Sequence, residues 1–179
     1  MLFHSTNFAE GCYKGLISTY KIFNKINMNK VWLITGCSTG FGRALAKEVL
    51  AKGYRAAVAA RNTNDVQDII EGYQSTAIAV KLDVTVPEQI KSAVQATIDQ
   101  FGQIDVLVNN AGIGYFAAIE ESEEAEIRRM FEINFFGLAK MTQEVLPHMR
   151  KRKAGHILNI TSIGGLRSFP GIGFYNATK

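Results

Sequence analysis

Short, nearly continuous apolar runs alternate along this chain with longer stretches whose apolar residues recur at helical spacing, from Lys30 onward. Short runs of this kind are typical of strands that are buried on both faces. Five occur: VWLIT (31–35), RAAVAA (55–60), AIAVKL (77–82), IDVLVN (104–109) and HILNIT (156–161). We therefore expect a parallel sheet of five strands.

The stretches between these runs predict the helices of the same fold. Helical periodicity covers about 41–52, 63–73, 87–101 and 123–152. Pro87 suits the first position of the third helix, and Pro147 lies inside the longest one, where we expect a kink. The alternation predicts an α/β fold with a doubly wound parallel sheet. Ligands bind such sheets beyond the carboxyl ends of the strands, so the residues that follow each run are the candidates for function.

Composition and charge narrow the class of protein. The 179 residues are 47% hydrophobic and 20% charged, which is typical of one globular domain. The net charge is only +4, and the single basic run, Arg150–Lys153, is typical of the solvated last turn of a helix. Because no aromatic residues interleave with this basic run, we expect no nucleic-acid binding through it. No apolar run approaches the roughly 20 residues that a membrane span needs.

The cysteines and histidines argue against disulfides and metal. Two cysteines, Cys12 and Cys37, give no disulfide framework, which favours a reducing compartment and hence a cytoplasmic protein. The three histidines show no metal-ligand spacing with them, so we expect no metal. Cys37 lies near the start of a predicted helix, where a thiol pKa can be lowered. The simpler interpretation is a small residue that fills a tight turn.

The first 27 residues differ from the rest. They show little periodicity, and they lack the features of a secretory signal or a transit peptide. We predict that residues 1–27 form a disordered extension and that Met28 is the functional beginning. Residues 28–179 would then form a dinucleotide-binding domain.

A glycine-rich stretch, TGCSTGFGRALA, joins the first predicted strand to the first helix. Glycines permit tight turning and close approach of the backbone to a ligand, and a helix N-terminus offers N–H groups to a pyrophosphate. The spacing G-x-x-x-G-x-G of Gly36, Gly40 and Gly42 departs from the general G-x-G-x-x-G pattern. The alternative is a glycine-rich turn without a ligand.

Arg61 ends the second predicted strand, about 20 residues past the glycines. Dinucleotide-binding folds that prefer NAD carry an acidic residue there for the ribose 2′-hydroxyl, whereas an arginine suits the 2′-phosphate of NADP. The alternative is a surface arginine that merely follows a strand.

The last six residues, FYNATK, place Tyr175 and Lys179 one helical turn apart on the same face. A phenol is a poor acid–base catalyst near neutral pH because its ordinary pKa is about 10. A fixed positive charge nearby favours the phenolate and makes the group more useful. On its own this spacing is common in amphipathic helices.

Taken in order, these motifs resemble those of the short-chain dehydrogenases/reductases of the common single-domain type. The family's T-G-x-x-x-G-x-G motif corresponds to Thr35–Gly42. Its acidic residue after the third strand corresponds to Asp83, and its N-N-A-G motif to Asn109–Gly112. The resemblance implies a Rossmann-like fold and a cofactor, NADP, with NAD possible. It implies cofactor contacts from Thr35, Gly36, Ser38, Thr39, Gly40, Phe41, Gly42, Arg61, Asp83, Val84, Asn110, Ala111, Gly112, Tyr175 and Lys179.

The same resemblance assigns the catalytic residues. Tyr175 and Lys179 match the family's Y-x-x-x-K, Ser162 its serine after the fifth strand, and Asn134 the asparagine of its long helix. Tyr175 would exchange a proton with the substrate oxygen, which Ser162 would also hydrogen-bond. Lys179 would favour the phenolate and bind the nicotinamide ribose, and Asn134 would hold a water that resupplies the proton. The alternatives are a strand-end cap for Ser162 and an ordinary polar helix residue for Asn134.

Family members usually continue well past this lysine. We therefore expect that the C-terminal strands are missing and that the chain is a fragment of a longer, homo-oligomeric enzyme. That enzyme would transfer a hydride between NADP and a carbonyl or secondary alcohol substrate. The alternatives are an inactive dinucleotide-binding remnant and an interaction fragment that pairs through its exposed fifth strand. The apolar stretch GGLRSFPGIGF (164–174) hints at a nonpolar carbonyl compound.

Overall fold

Five parallel strands form the centre of the computed structural model, which describes residues 29–179. The strands are β1 (Val31–Ile34), β2 (Arg55–Ala60), β3 (Ala77–Lys81), β4 (Val106–Asn109) and β5 (His156–Asn159). Their spatial order is β3-β2-β1-β4-β5, and each neighbouring pair is parallel. The predicted parallel sheet is confirmed. The extension predicted over residues 1–27 lies outside the described residues.

Helices connect the strands and cover both faces of the sheet. They are α1 (Gly40–Ala51), α2 (Gln67–Ile70), α3 (Pro87–Phe101), α4 (Glu124–Phe131), α5 (Leu138–Arg152) and α6 (Gly173–Thr178). Pro87 begins α3, as its missing N–H allows. Gly102, with φ of +80°, ends that helix in the left-handed region.

The helix predicted over 63–73 is wrong in its extent. Thr63–Val66 forms a 3₁₀ turn, and α2 is a single helical turn. The side-chain oxygen of Asn62 accepts a hydrogen bond from the Asn64 N–H at 3.1 Å, which starts the chain in a tight turn. Gly72, with φ of +81°, then turns the chain towards β3.

The long stretch predicted over 123–152 is helical but is not one α-helix. A π-helical segment, Glu132–Gly137, joins α4 to α5. The helix α5 runs through Pro147 as one element, so the change in helical geometry lies upstream of the proline. Short π-helical segments occur frequently at functional sites, and this one contains Asn134.

The core consists of two apolar layers, one on each face of the sheet. Successive residues of a strand point to opposite faces, so Leu33 packs in the layer under α3 and α5 while Ile34 packs in the layer under α1. Leu107 and Val108 of β4 divide in the same way, and all four are fully buried. Burial of each such side chain stabilises the fold by roughly 1.5–3 kcal/mol. The central strands are thus held firmly, and their carboxyl ends are fixed relative to one another.

The edge strand β5 is different. Three of its four residues are exposed, and the Leu158 side chain is 43% exposed. β5 pairs with β4 on one side only in the part of the chain that the structure describes. This edge is the less protected end of the sheet.

Candidate functional site

A cleft of about 520 Å³ opens at the carboxyl ends of the central strands. Most of the residues expected to contact a cofactor line it: Gly36, Ser38, Thr39, Gly40, Phe41, Arg61, Asp83, Val84, Asn110, Ala111 and Gly112. Sequence reasoning missed six further lining residues: Ala60, Leu82, Thr85, Ile113, Arg129 and Ile133. Thr35, Gly42, Tyr175 and Lys179 do not line this cleft. The first two lie beneath it and the last two beside it.

Thr35 and Asn110 join the two loops that form the floor of the cleft. The Thr35 hydroxyl, buried at the end of β1, accepts hydrogen bonds from the N–H groups of Asn110 at 2.9 Å and Ala111 at 3.0 Å. The Asn110 amide donates in return to the carbonyls of Thr35 at 2.8 Å and Gly36 at 3.0 Å. These paired bonds fix the glycine loop to the turn after β4, so the floor is preformed.

The three glycines of the loop are required for different reasons. Gly36 has φ of +70°, and a Cβ there would lie 2.9 Å from the Ala111 Cα. Gly42 has no space for a side chain, because a Cβ would meet the Asn110 amide and would lie 2.5 Å from the Gly36 carbonyl oxygen. Gly40 has φ of +58° but faces open space. An open, backbone-lined surface at the start of α1 is what close approach by a phosphate group requires.

The start of α1 is also free of a side-chain cap. Thr39 occupies the N-cap position with extended backbone angles, and its side chain makes no capping hydrogen bond. The first N–H groups of a helix have no partner within the helix, and together they favour a negative charge. The arrangement therefore suits an anionic ligand at this end of the cleft.

Asp83 and Arg61 flank the other end of the cleft. One carboxylate oxygen of Asp83 accepts hydrogen bonds from the N–H of Thr85 at 2.9 Å and from its hydroxyl at 2.7 Å. Asp83 therefore shapes its own turn, and its second oxygen has no partner among the described residues. Arg61 is exposed, and within residues 29–179 it makes no ion pair. Its guanidinium is available to an anion.

Lys179 lies between Tyr175 and the turn after β4. Its Nζ is 5.9 Å from the centre of the Tyr175 ring and 3.4 Å from the Ile160 carbonyl oxygen. A Cβ placed on Gly112 would lie 3.2 Å from both this Nζ and the Asn134 Oδ1. The structure thus brings Lys179, Tyr175 and Asn134 together at the edge of the cleft.

The Asn134 side chain ties this group to the turn after β4. Its Oδ1 accepts the Ile113 N–H at 2.9 Å, and its Nδ2 donates to the Ile113 carbonyl at 2.8 Å and to the Thr178 hydroxyl at 3.0 Å. Both amide hydrogens are therefore used within the protein. Only the second lone pair of Oδ1 remains for the water that the resemblance implies.

Ser162 acts as a cap in this structure. Its Oγ accepts a hydrogen bond from the Gly164 N–H at 3.1 Å. A hydroxyl that accepts in this way keeps its own hydrogen as a donor, so the cap and the catalytic role are compatible. A Cβ on Gly164 would lie 3.4 Å from the Ser162 Oγ and 3.2 Å from the Tyr175 ring, which places the serine and the tyrosine around the same glycine.

Phe116 is a further aromatic residue of this group that sequence reasoning missed. Its ring meets the Tyr175 ring edge to face, with the centres 5.3 Å apart, although Phe116 is 63% exposed. The exposed apolar side chains of Ile163, Leu166 and Phe169 lie on the segment between Ser162 and Tyr175. The surface beside the tyrosine is therefore rich in apolar groups.

The Cys37 side chain is a buried, protonated thiol. Burial raises the pKa of its thiol from 9.0 to about 12, and its Sγ donates to the Ile34 carbonyl at 3.1 Å. The interpretation of Cys37 as a residue that fills a tight turn fits this environment. In the described part of the chain no group of His, Cys, Asp or Glu could hold a metal ion, and no helix there is long and apolar enough to span a membrane.

Comparison with known proteins agrees with this geometry. A family model described as short chain dehydrogenase matches residues 30–179. The chain belongs to this family. Its fold matches a short-chain dehydrogenase from Streptomyces avermitilis at 44% identity with a TM-score of 0.81, over 84% of this chain and 56% of that one.

Two other solved structures contain nucleotides. A 3-ketoacyl-(acyl-carrier-protein) reductase from Brucella melitensis, complexed with NADH, is 34% identical, with a TM-score of 0.78, over 83% of this chain and 64% of that one. An alcohol dehydrogenase from Thermococcus sibiricus, complexed with 5-hydroxy-NADP, is 33% identical, with a TM-score of 0.79, over 83% and 65%. The present chain spans about half the length of the first curated relatives that it matches.

Proposed function

We propose that this chain supplies the nucleotide site and the proton-transfer residues of an oxidoreductase that prefers NADP and acts on a carbonyl or secondary alcohol. The observation that carries the proposal is the position of Lys179 and Asn134 against Gly112 of the cleft, with the Tyr175 ring beside Lys179. A proton donor beside a nucleotide cleft is the arrangement that carbonyl reduction needs.

The residues present fit a dinucleotide. The open backbone at Gly40 and the uncapped start of α1 suit the pyrophosphate, and the exposed Arg61 suits a 2′-phosphate. The unpaired oxygen of Asp83 is an acceptor for an amino group of the base. When bound, a nicotinamide cofactor supplies or accepts the hydride.

The side chains of this protein would manage the proton and the developing charge. In reduction, negative charge grows on the substrate oxygen, and hydrogen bonds from Tyr175 and Ser162 would stabilise it. Tyr175 would then give its phenolic proton to that oxygen, and in oxidation it would take the proton back. The ammonium of Lys179, whose Nζ is 5.9 Å from the centre of the Tyr175 ring, would stabilise the negative charge that Tyr175 carries after proton transfer.

We further propose an apolar carbonyl compound as the substrate. The exposed side chains of Phe116, Ile163, Leu166 and Phe169 would offer it an apolar surface beside the tyrosine. We also propose a reducing compartment such as the cytoplasm, because the two cysteines of the sequence give no disulfide framework. The exposed, edge-to-face pair of Phe135 and Phe136 supports self-association of the whole protein into a homo-oligomer.

Nucleotide binding by calorimetry tests the proposal. NADP should bind, and adenosine 2′,5′-bisphosphate should bind nearly as well, because the residues proposed for the adenosine half all lie in the preformed cleft. Replacing Arg61 with Asp should weaken NADP binding by about 1.5–3 kcal/mol, the value of a charge-assisted hydrogen bond, and leave NAD binding nearly unchanged. Arg150→Asp, the same charge change in the last turn of α5, is the control. Failure of every adenine nucleotide to bind would refute the proposed function.

A further inference from the structure

Arg129 is a charged residue of the cleft that none of the motifs includes. It lies on α4 and lines the cleft together with Asp83, Val84 and Thr85, and its side chain is 55% exposed. Its neighbour Arg128 pairs with Glu124 at 2.6 Å and does not line the cleft. Two adjacent arginines of one helix thus lie in different surroundings.

The helix that carries Arg129 is fixed relative to the end of β3. Met130, the next residue, is fully buried. Ile133, one turn further on, lines the same cleft as Arg129. Gly137, at the end of the π-helical segment, packs so closely that a Cβ there would lie 2.8 Å from the Val84 Cγ2. Arg129 therefore emerges at a defined place beside the turn that contains Asp83.

The two arginines of the cleft differ in their charge environment. Arg61 follows β2 and has no ion pair within residues 29–179. The Nη1 of Arg129 lies 3.3 Å from the Glu126 Oε2, so its charge is partly compensated. A guanidinium that is paired along its edge keeps both planar faces available, and such faces stack well on aromatic rings. Arg61 thus suits a phosphate, whereas Arg129 suits a flat base.

We propose that Arg129 binds the adenine base of the nucleotide by stacking its guanidinium plane on the ring, beside the turn at Asp83. The inference rests on the proposed function, because it needs an adenine nucleotide in the cleft. Ile133 supplies an adjoining apolar contact on the same wall. In this arrangement Arg129 binds the base, Arg61 binds the 2′-phosphate, and the start of α1 binds the pyrophosphate.

Calorimetric titration of the 179-residue chain with NADP, NAD and AMP tests this assignment, because NAD and AMP lack the 2′-phosphate. Arg129→Ala should weaken all three by the same factor, about two- to tenfold, as expected for loss of a cation–π contact. Arg129→Lys should weaken them nearly as much, since an ammonium keeps the charge but lacks the plane. Arg128→Ala is the matched control and should leave all three affinities unchanged.

Each other outcome overturns the inference in a recognisable way. A loss confined to NADP, largely restored in Arg129→Lys, would assign Arg129 to the 2′-phosphate instead. Unchanged affinities in Arg129→Ala, with normal binding by the unaltered chain, would refute the inference and leave the proposed function intact. If the unaltered chain binds none of the three nucleotides, the proposed function fails and the inference falls with it.

Discussion

The nucleotide cleft and the tyrosine end of the molecule are built in different ways. The cleft rests on the central strands, whose residues are buried on both faces, and its two floor loops are joined by the reciprocal bonds of Thr35 and Asn110. The tyrosine end rests on β5, which is mostly exposed, and on the six-residue helix α6. Short helices owe their stability to packing rather than to their own hydrogen bonds.

A small set of polar contacts anchors the tyrosine end. The Asn176 amide donates to the carbonyls of Gly164 at 2.7 Å and Arg167 at 2.8 Å, and the Thr178 hydroxyl receives a bond from Asn134. Most of these contacts are single side-chain bonds. The proposed nucleotide site thus rests on the buried sheet, whereas the residues proposed for proton transfer lie on a segment of lower local stability.

The largest expected effect separates the two regions by function. Tyr175→Phe keeps the ring and its contact with Phe116 but removes the proton, so carbonyl reduction should fall at least about 100-fold, as for loss of a general acid. NADP affinity should not change, because the cleft is lined by other residues. Steady-state kinetics on the catalytically active form, with calorimetry alongside, measure both quantities. Tyr73→Phe, in the turn before β3, is the control, and a Tyr175→Phe variant with near-normal turnover would disprove the proton-transfer role.

The second prediction tests how tightly the cleft is built. In Gly42→Ala the new Cβ meets the Asn110 amide and the Gly36 carbonyl, so the free energy of unfolding should fall by about 2–3 kcal/mol, with weaker nucleotide binding. Gly102→Ala is the matched control: its φ is +80° but the space around it is open, so strain alone should cost roughly 1 kcal/mol. Urea denaturation gives both values. Equal losses in the two variants would contradict the tight packing of the glycine loop.

The sequence predicted the sheet well because its strands are buried on both faces, and uninterrupted apolar runs such as RAAVAA follow directly from that burial. The prediction of a helix over 63–73 was wrong for a local reason, because the Asn62 side chain competes with the helix for a backbone N–H. The π-helical segment has no periodic signature that differs from an α-helix. It depends on contacts distant in sequence, such as Asn134 with Ile113 and Gly137 with Val84.

The candidate site also contains some residues that local sequence predicts and others that only the fold brings there. Residues within motifs, such as Gly40 and Asp83, were predicted together with their place beyond a strand. Arg129 and Phe116 reach the site from a helix and a loop whose local sequence carries no motif, so only the fold brings them there. An aromatic residue soon after the N-N-A-G turn was the one available signal for Phe116.

The third prediction concerns the hydrogen bond between Asn134 and Thr178, which links the two regions. Thr178→Val removes the hydroxyl that accepts from the Asn134 amide, while the bond from that amide to Ile113 remains. The hydroxyl also donates to the Tyr175 carbonyl at 2.9 Å, so two hydrogen bonds are lost. The loss should be about 2 kcal/mol and local, because each hydrogen bond contributes about half of that. Hydrogen exchange should accelerate in α6 and stay unchanged in α1. Equal acceleration in both helices would show that the two regions open together, against the comparison drawn above.

A fourth prediction uses pH to test the burial of Cys37, which lies in the glycine loop of the cleft. The pKa of Cys37 is raised from 9.0 to about 12 by burial, so the folded state holds the thiol proton more tightly than the unfolded state. Its stabilising contribution is complete below pH 9 and is lost as the pH rises from there towards 12. The decline in the free energy of unfolding over this range should therefore be smaller in Cys37→Ala. In a Cys12→Ser background, Cys37 should also resist alkylation at neutral pH; rapid labelling of the folded protein would contradict its burial.

The last prediction is that removal of residues 1–27 changes neither the melting temperature nor the NADP affinity. Residues 1–27 show no periodicity that would bury them, and β1 is anchored from Asn29 onward without them. The Arg55 guanidinium donates to the Asn29 carbonyl at 2.6 Å, the Arg55 N–H donates to the Lys30 carbonyl at 3.1 Å, and the Val31 N–H donates to the Asp105 carboxylate at 2.8 Å. A chain that begins at Met28 should thus keep both its melting temperature and its NADP affinity. Differential scanning calorimetry and nucleotide titration of the two chains measure this directly, with Arg55→Ala as the variant that should lower the melting temperature in both. If removal of residues 1–27 alone destabilises the protein or weakens nucleotide binding, the extension packs on the domain, and the cleft is not the self-contained unit described above.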